Sequence, residues 1–229
     1  MLHRFLLRLV LPTVTLCALT SVPQPARAAD PLPGRMPGLA LPPRLRQPTG
    51  TVRVGSWVEY SLYDVTQRRR VRLHWALVGK IGTGRWWEMT FREARKPPLR
   101  IKTLIQGAVS KPSHIKRVIV QSGRDQALEL PVKTGQKIMN VYLRRRQGAA
   151  IRNLGAATLV TAAGTFQTRH HSWKDENGQT IHEWTSPTAF IWGLVRFRSP
   201  RFRMELIRQG RGARSKIRGI PAKWHLPGR

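Results

Sequence analysis

Cysteine is almost missing from this chain of 229 residues, and its one copy, Cys17, sits inside a stretch that reads as a leader. Met1 to Ala28 opens with His3, Arg4 and Arg8, continues through an apolar run from Leu9 to Leu19, and closes on Ala26-Arg27-Ala28. That is the pattern of a cleaved secretory signal, with a small-x-small cleavage site. The residues ahead of Cys17 (Val14-Thr15-Leu16) lack the small residue that lipidation needs, so a soluble exported chain from Ala29 is expected. Such a chain has no thiol nucleophile, no thiolate metal centre and no disulfide. Roughly 200 residues must then be held by an apolar core, which that length permits. Long hydrophobic runs are lacking too: Leu9 to Leu19 is interrupted by Pro12 and falls short of the ~20 residues that cross a bilayer. Acidic side chains are the third scarcity, 11 against 41 lysines and arginines. They are scattered, which leaves a paired-carboxylate glycosidase without support. No G-x-S-x-G nucleophile elbow occurs either.

What remains is strongly basic. The formal charge is +30, and the leader removes three basic residues and no acid, leaving +27. In a cytosolic protein this balance would point first to nucleic acid. The export signal redirects it to partners of the periplasm or cell envelope: anionic lipid, lipopolysaccharide phosphates or acidic wall polymers. Because 31 of the 41 basic residues are arginine, a GC-rich genome would also account for part of the excess.

Residues 29–50 hold six prolines and read as a linker. Residues 51–218 read as one domain, and 219–229 as a loose tail. Val58, Tyr60 and Leu62 alternate with Trp57, Glu59 and Ser61. Val71, Leu73, Trp75 and Leu77 alternate with arginines and His74, and Trp87, Met89 and Phe91 with Glu88, Thr90 and Arg92. Period-two alternation of this kind predicts antiparallel strands with one apolar face. Further strands are expected at Ile101–Ile105, Ile115–Gln121, Ala127–Val132, Thr158–Ala162, Gly193–Arg198 and Phe202–Leu206, with a short helix over Gln136–Gln147. Gly79-Lys80 lacks the following Ser or Thr and the helix of a phosphate loop. Two runs flank Asn177-Gly178, a strong hairpin signal whose favoured two-residue turn puts both central residues at positive φ. The predicted fold is mainly β: a curved antiparallel sheet, an open half-barrel, with one or two short helices.

Parity assigns the faces. Arg70, Arg72, Arg196 and Arg198 fall on the polar side and form the candidate anionic-surface contact. Val58, Tyr60, Trp75, Trp87 and Phe91 fall on the apolar side, where a strongly twisted sheet could leave a ligand groove. With a two- or four-residue turn, His171 and Trp173 share a face with His182 and Trp184, and His170 looks toward Glu183. Two histidines without a third ligand do not make a metal site, and no cofactor is implied.

Gly164-Thr165-Phe166-x-Thr168-x-His170, Gly178, Trp184-x-Ser186, Gly193-Leu194-Val195-Arg196 and Met204-Glu205-Leu206 resemble the C-terminal half of uncharacterised bacterial envelope proteins. Those are similar in turn to the lipoprotein-carrier (LolA/LolB-type) half-barrel fold. The match covers about half of the exported chain, and Phe190-Ile191-Trp192 stands where that pattern has a proline before Gly-Leu-Val. The resemblance implies an acyl-chain groove on the concave side. The expected function is an exported, non-catalytic envelope protein that binds an amphipathic or anionic ligand. The alternatives are a structural component docking on a protein partner through its sheet edges, and a hydrolase using His170 and Glu183.

Overall fold

The alternation beginning near Val58 becomes, in the computed structural model, the first strand of a single twelve-stranded sheet. The structure describes residues 52–109, 111–143, 150–175 and 177–223. The leader, the whole proline-rich stretch, Arg144–Arg146 and residues 224–229 of the expected tail lie outside them. The strands are β1 (Trp57–Asp64), β2 (Arg69–Ile81), β3 (Gly84–Glu93), β4 (Leu99–Ile105), β5 (Ile115–Ser122), β6 (Leu128–Leu130), β7 (Arg152–Thr161), β8 (Gly164–Lys174), β9 (Thr180–Thr185), β10 (Leu194–Arg198), β11 (Phe202–Gly210) and β12 (Ala222–Lys223). One helix, α1 (Val132–Leu143), separates β6 from β7. Among the described residues no helix is long and apolar enough to cross a membrane.

The order β12-β6-β5-β4-β3-β2-β1-β11-β10-β9-β8-β7 is two meanders joined where β1 pairs with β11. Every pairing is antiparallel except the short parallel bridge of β12 to β6. The fold is therefore mainly β and the sheet is open and curved, as the alternation predicts. The helix starts earlier than Gln136 because Pro131 precedes its first turn and accepts from Gly135 N–H; proline suits a helix start, where no partner for its nitrogen is needed. The tail expected to be loose is engaged at Ala222 and Lys223, whose backbone adds to β6.

Register keeps the apolar parity on one face across seven neighbouring strands. Val58 pairs with Trp75, Trp75 with Met89 and Met89 with Ile101; on the other side Tyr60 pairs with Leu206 and Met204 with Phe197. The proposed groove residues lie on this face, but it is closed. Val58, Tyr60, Trp75, Trp87 and Phe91 are 0–7% exposed. The segment between β9 and β10 folds over them. Trp192, 1% exposed, stacks on Trp87 at 5.2 Å and meets Trp75 edge-on at 4.9 Å. To place it, Ile191 adopts φ +62, a conformation costly for a β-branched residue. Burial of both side chains offsets that strain. Of the two outcomes the bulky apolar face allowed, an open groove or a filled core, these residues form a filled core.

The β8–β9 hairpin forms where expected, with a different turn. Lys174 pairs with Thr180, so five residues intervene. The Asp175 carboxylate accepts from the N–H groups of Asn177 and Gln179 at 2.8 and 3.0 Å, and Asp175 N–H donates to Gln179 O. Only Gly178 of the Asn-Gly pair has positive φ, +73. An odd loop length shifts parity by one. His171 therefore faces Glu183 on the inner side, while His170, His182 and Trp184 share the outer side. The predicted pairing of His170 with Glu183 does not occur, and neither does the sharing of a face by His171 and His182. Gly178→Val puts a β-branched side chain at positive φ with no atom within 4 Å to clash. Strain alone should cost about 1–2 kcal/mol, read as a lower unfolding midpoint. An unchanged midpoint would show that residue 178 leaves the left-handed region without loss.

Candidate functional site

The outer face of the sheet carries what the inner face excludes. Register lines up Arg208 of β11, Glu59 of β1, His74 of β2, Thr90 of β3, Arg100 of β4 and Gln121 of β5 in one row across the strands. Above this row passes the chain that follows β11. Residues 211–218 leave the sheet and cross it as a strap before β12. Strap and sheet border an open cleft of about 940 Å³.

The strap is pinned along its length, first where Trp57 of β1 donates its indole N–H to Arg211 O. Ala213 N–H donates to Gly55 O at 2.9 Å. Gly55 has φ +92, and a side chain there would stand 3.2 Å from the Gly212 nitrogen, so the crossing requires glycine. Further along, Glu88 of β3, 2% exposed, accepts from Ser215 Oγ at 2.6 Å and from Lys216 N–H at 2.9 Å. A carboxylate that accepts several donors is a strong anchor, because charge-assisted bonds are about twice as strong as neutral ones.

The lining is overwhelmingly cationic. Arg92, Arg100, Arg124 and Arg208 come from the sheet and its β5–β6 turn; Arg211, Arg214, Lys216 and Arg218 come from the strap. Glu59 is the one carboxylate among the lining residues. It is committed already: Arg208 donates to its Oε2 from Nε at 3.1 Å and Nη2 at 2.6 Å, and Arg92 Nη1 lies 4.0 Å from Oε1. Arg100 is oriented by donating to Gly123 O at 2.6 Å. Trp57 stacks on His74 with ring centroids 5.4 Å apart and donates its indole N–H to Arg211 O. Burial, then the neighbouring Lys216 and Arg92, push the His74 pKa down to about 4. Its imidazole is neutral at neutral pH and adds no charge to the floor. Burial, and after it Arg92, likewise lower the Lys216 pKa, against the opposing pull of Glu88. The lining as a whole carries a net positive charge.

The arginines singled out from the sequence lie on the same face but elsewhere. Arg70, Arg72 and Arg198 are exposed, while Arg196 is half-buried and donates to Glu205 at 2.8 and 2.5 Å. Arg198 lies over the Trp184 ring at 5.9 Å. Strands β2 and β10 are three spacings apart, about 14 Å, so the four do not form one cluster. His170 is stacked flat on Trp184 at 4.2 Å and bonded to His182 at 3.0 Å. Among the described residues no group of three or more potential metal ligands occurs. Sequence parity put Glu59, His74 and Arg92 on the correct face. It missed Arg100, and it missed the strap altogether. The available signal was Arg211, Arg214, Lys216 and Arg218, a cation at nearly every second position, easily read as a terminal tail.

No protein-family model matches the chain, and no curated protein matches it. Solved structures similar to it include one from Parabacteroides distasonis provisionally named a lipoprotein, with 13% identity, 72% of this chain and 99% of that one covered, and a TM-score of 0.35. A second, from Bacteroides fragilis, is provisionally named an exported protein with YmcC-like fold: 10% identity, 72% and 100% covered, TM-score 0.37. A third is a hypothetical protein from Chlamydia trachomatis, at 13% identity, 75% and 94% coverage, and TM-score 0.47. None of these three is named as a lipoprotein carrier. Similarity this low transfers neither activity nor partner.

Proposed function

We propose that this protein is exported to the cell envelope and there holds an anionic ligand, without transforming it, in the cleft between sheet and strap. The observation that carries this reading is the lining: eight cationic side chains face one space with a single carboxylate, itself bound by Arg208. Export is supported by the leader pattern of residues 1–28. An anionic head group fits better than a buried acyl chain, because the apolar face is occupied by Trp192 and Ile191. A binding role is supported by the chemistry of the cleft, where the neutral His74 packs against Trp57 and the Ser215 hydroxyl is engaged by Glu88 in holding the strap. Vesicles of phosphatidylglycerol and lipopolysaccharide micelles provide the test. Binding is expected at low salt and should fade as screening shortens the Debye length. Each arginine near an anionic surface contributes about 1 kcal/mol, so Arg100→Ser with Arg124→Ser should weaken association on the order of thirtyfold. Absence of binding at low salt, or equal binding at high salt, would remove the anion reading.

Docking on a protein is the second reading, and strand β7 favours it. This terminal strand of the sheet is exposed along most of its length and presents Leu154 at 48% and Val160 at 71% exposure. Uncovered strand edges pair readily with other chains. Recovery of a stoichiometric protein partner, lost on placing proline at Thr158, would promote this reading over the first.

A further inference from the structure

We infer that the cleft takes a linear phosphate polymer running crosswise to the strands, and not an isolated phosphate; this rests on the anion-binding reading above. The inference comes from how the charges are laid out. On the floor, Arg208, Arg92 and Arg100 come from β11, β3 and β4. Between β11 and β4 lie four strand spacings, about 19 Å. Overhead, exposure alternates along the strap: residues 214, 216 and 218 are exposed and 213, 215 and 217 half-buried. That is the pattern of an extended segment, and its pins agree. Ala213 is held beside the start of β1 and Lys216 over β3, so three residues cross two strand spacings of about 4.8 Å each. Arg214, Lys216 and Arg218 therefore recur at intervals of about 6.7 Å, in a row parallel to the floor cations. All six line the cavity.

An isolated phosphate reaches only a few of these groups and leaves the others facing like charges across the cleft. A chain of phosphates lying along the cleft beside the strap meets floor and strap cations along its whole length. The neutral Trp57–His74 stack beside Glu59 marks the stretch of floor where a linking unit, not a charge, would rest. The chemistry is shared by two sources, a phosphoanhydride chain and a phosphodiester chain.

The test is a length series on the full exported chain: orthophosphate, pyrophosphate, tripolyphosphate, long-chain polyphosphate and poly(glycerol phosphate). Affinity should rise with length, with a long chain bound at least about a hundredfold more tightly than pyrophosphate. The logarithm of affinity should fall against that of salt with a slope near about −4, as expected when six charges are neutralised on a single strand. Arg214→Ser with Arg218→Ser should bring the slope to about −3, while Arg152→Ser on β7 should leave it unchanged. Preference between the two polymers identifies the source. Pyrophosphate binding as tightly as the long chains would overturn the polymer inference and leave the anion reading standing. Vesicle binding with no affinity for any soluble phosphate would also overturn it, and silence in both assays would remove the two together.

Discussion

Replacing Trp192 with alanine should lower the stability of the domain by about 3–5 kcal/mol, measured by denaturant unfolding. The side chain is 1% exposed and fills the space between Trp75 and Trp87. Removing it takes away transfer free energy and leaves a cavity that neighbouring indoles on a rigid sheet cannot collapse into. The same change should open the trough that alternation alone suggests, so that a hydrophobic dye binds the folded variant and not the parent. A second penalty is relieved: Ile191 no longer needs φ +62 to position its neighbour. The net loss therefore belongs at the lower end of the range. A loss below about 1 kcal/mol would show that Trp192 is not a plug in the core.

Glu88→Ala should be the second costly change, at about 2–3 kcal/mol, with loss of the cleft as its signature. The carboxylate is 2% exposed and holds the strap through Ser215 Oγ and Lys216 N–H. Hydrogen bonds to a charged acceptor contribute about 1.5–3 kcal/mol each; part returns as water solvates the released donors. Among the described residues no other hydrogen bond ties the strap between Ala213 and Ala222 to the sheet, so the amides of residues 214–218 should exchange with solvent far faster, and anion affinity should fall with them. Glu88→Gln keeps an acceptor for both donors and should retain more than half of the stability and most of the binding. Wild-type exchange rates in Glu88→Ala would mean that the strap is held elsewhere.

These two residues show how unevenly the structure was legible. Glu88 alternates correctly with Trp87 and Met89, so its face was readable. Its partner was not, because Ser215 lies 127 residues away and no local pattern links them. Trp192 belongs to a turn-like segment where alternation carries no information, and its direction depends on one unusual backbone angle at Ile191. The histidines failed for a different reason. The residues of the β8–β9 turn were recognised, but the bond from Asp175 N–H to Gln179 O closes an odd loop, and one residue of register moves every side chain to the other face.

By itself the sequence determined the approximate positions of β1 to β11, the apolar parity of β1 to β3 and of β10 and β11, the hairpin around Gly178 and the excess of positive charge. All of these follow from nearest-neighbour chemistry: period-two alternation, turn residues and composition. Only the tertiary structure decided that the apolar face is closed by Trp192, that His170 and Glu183 stand on opposite sides, and that the strap turns scattered arginines into one cleft. Each of those depends on where distant segments meet, which is set by packing and loop length and leaves no trace in local periodicity.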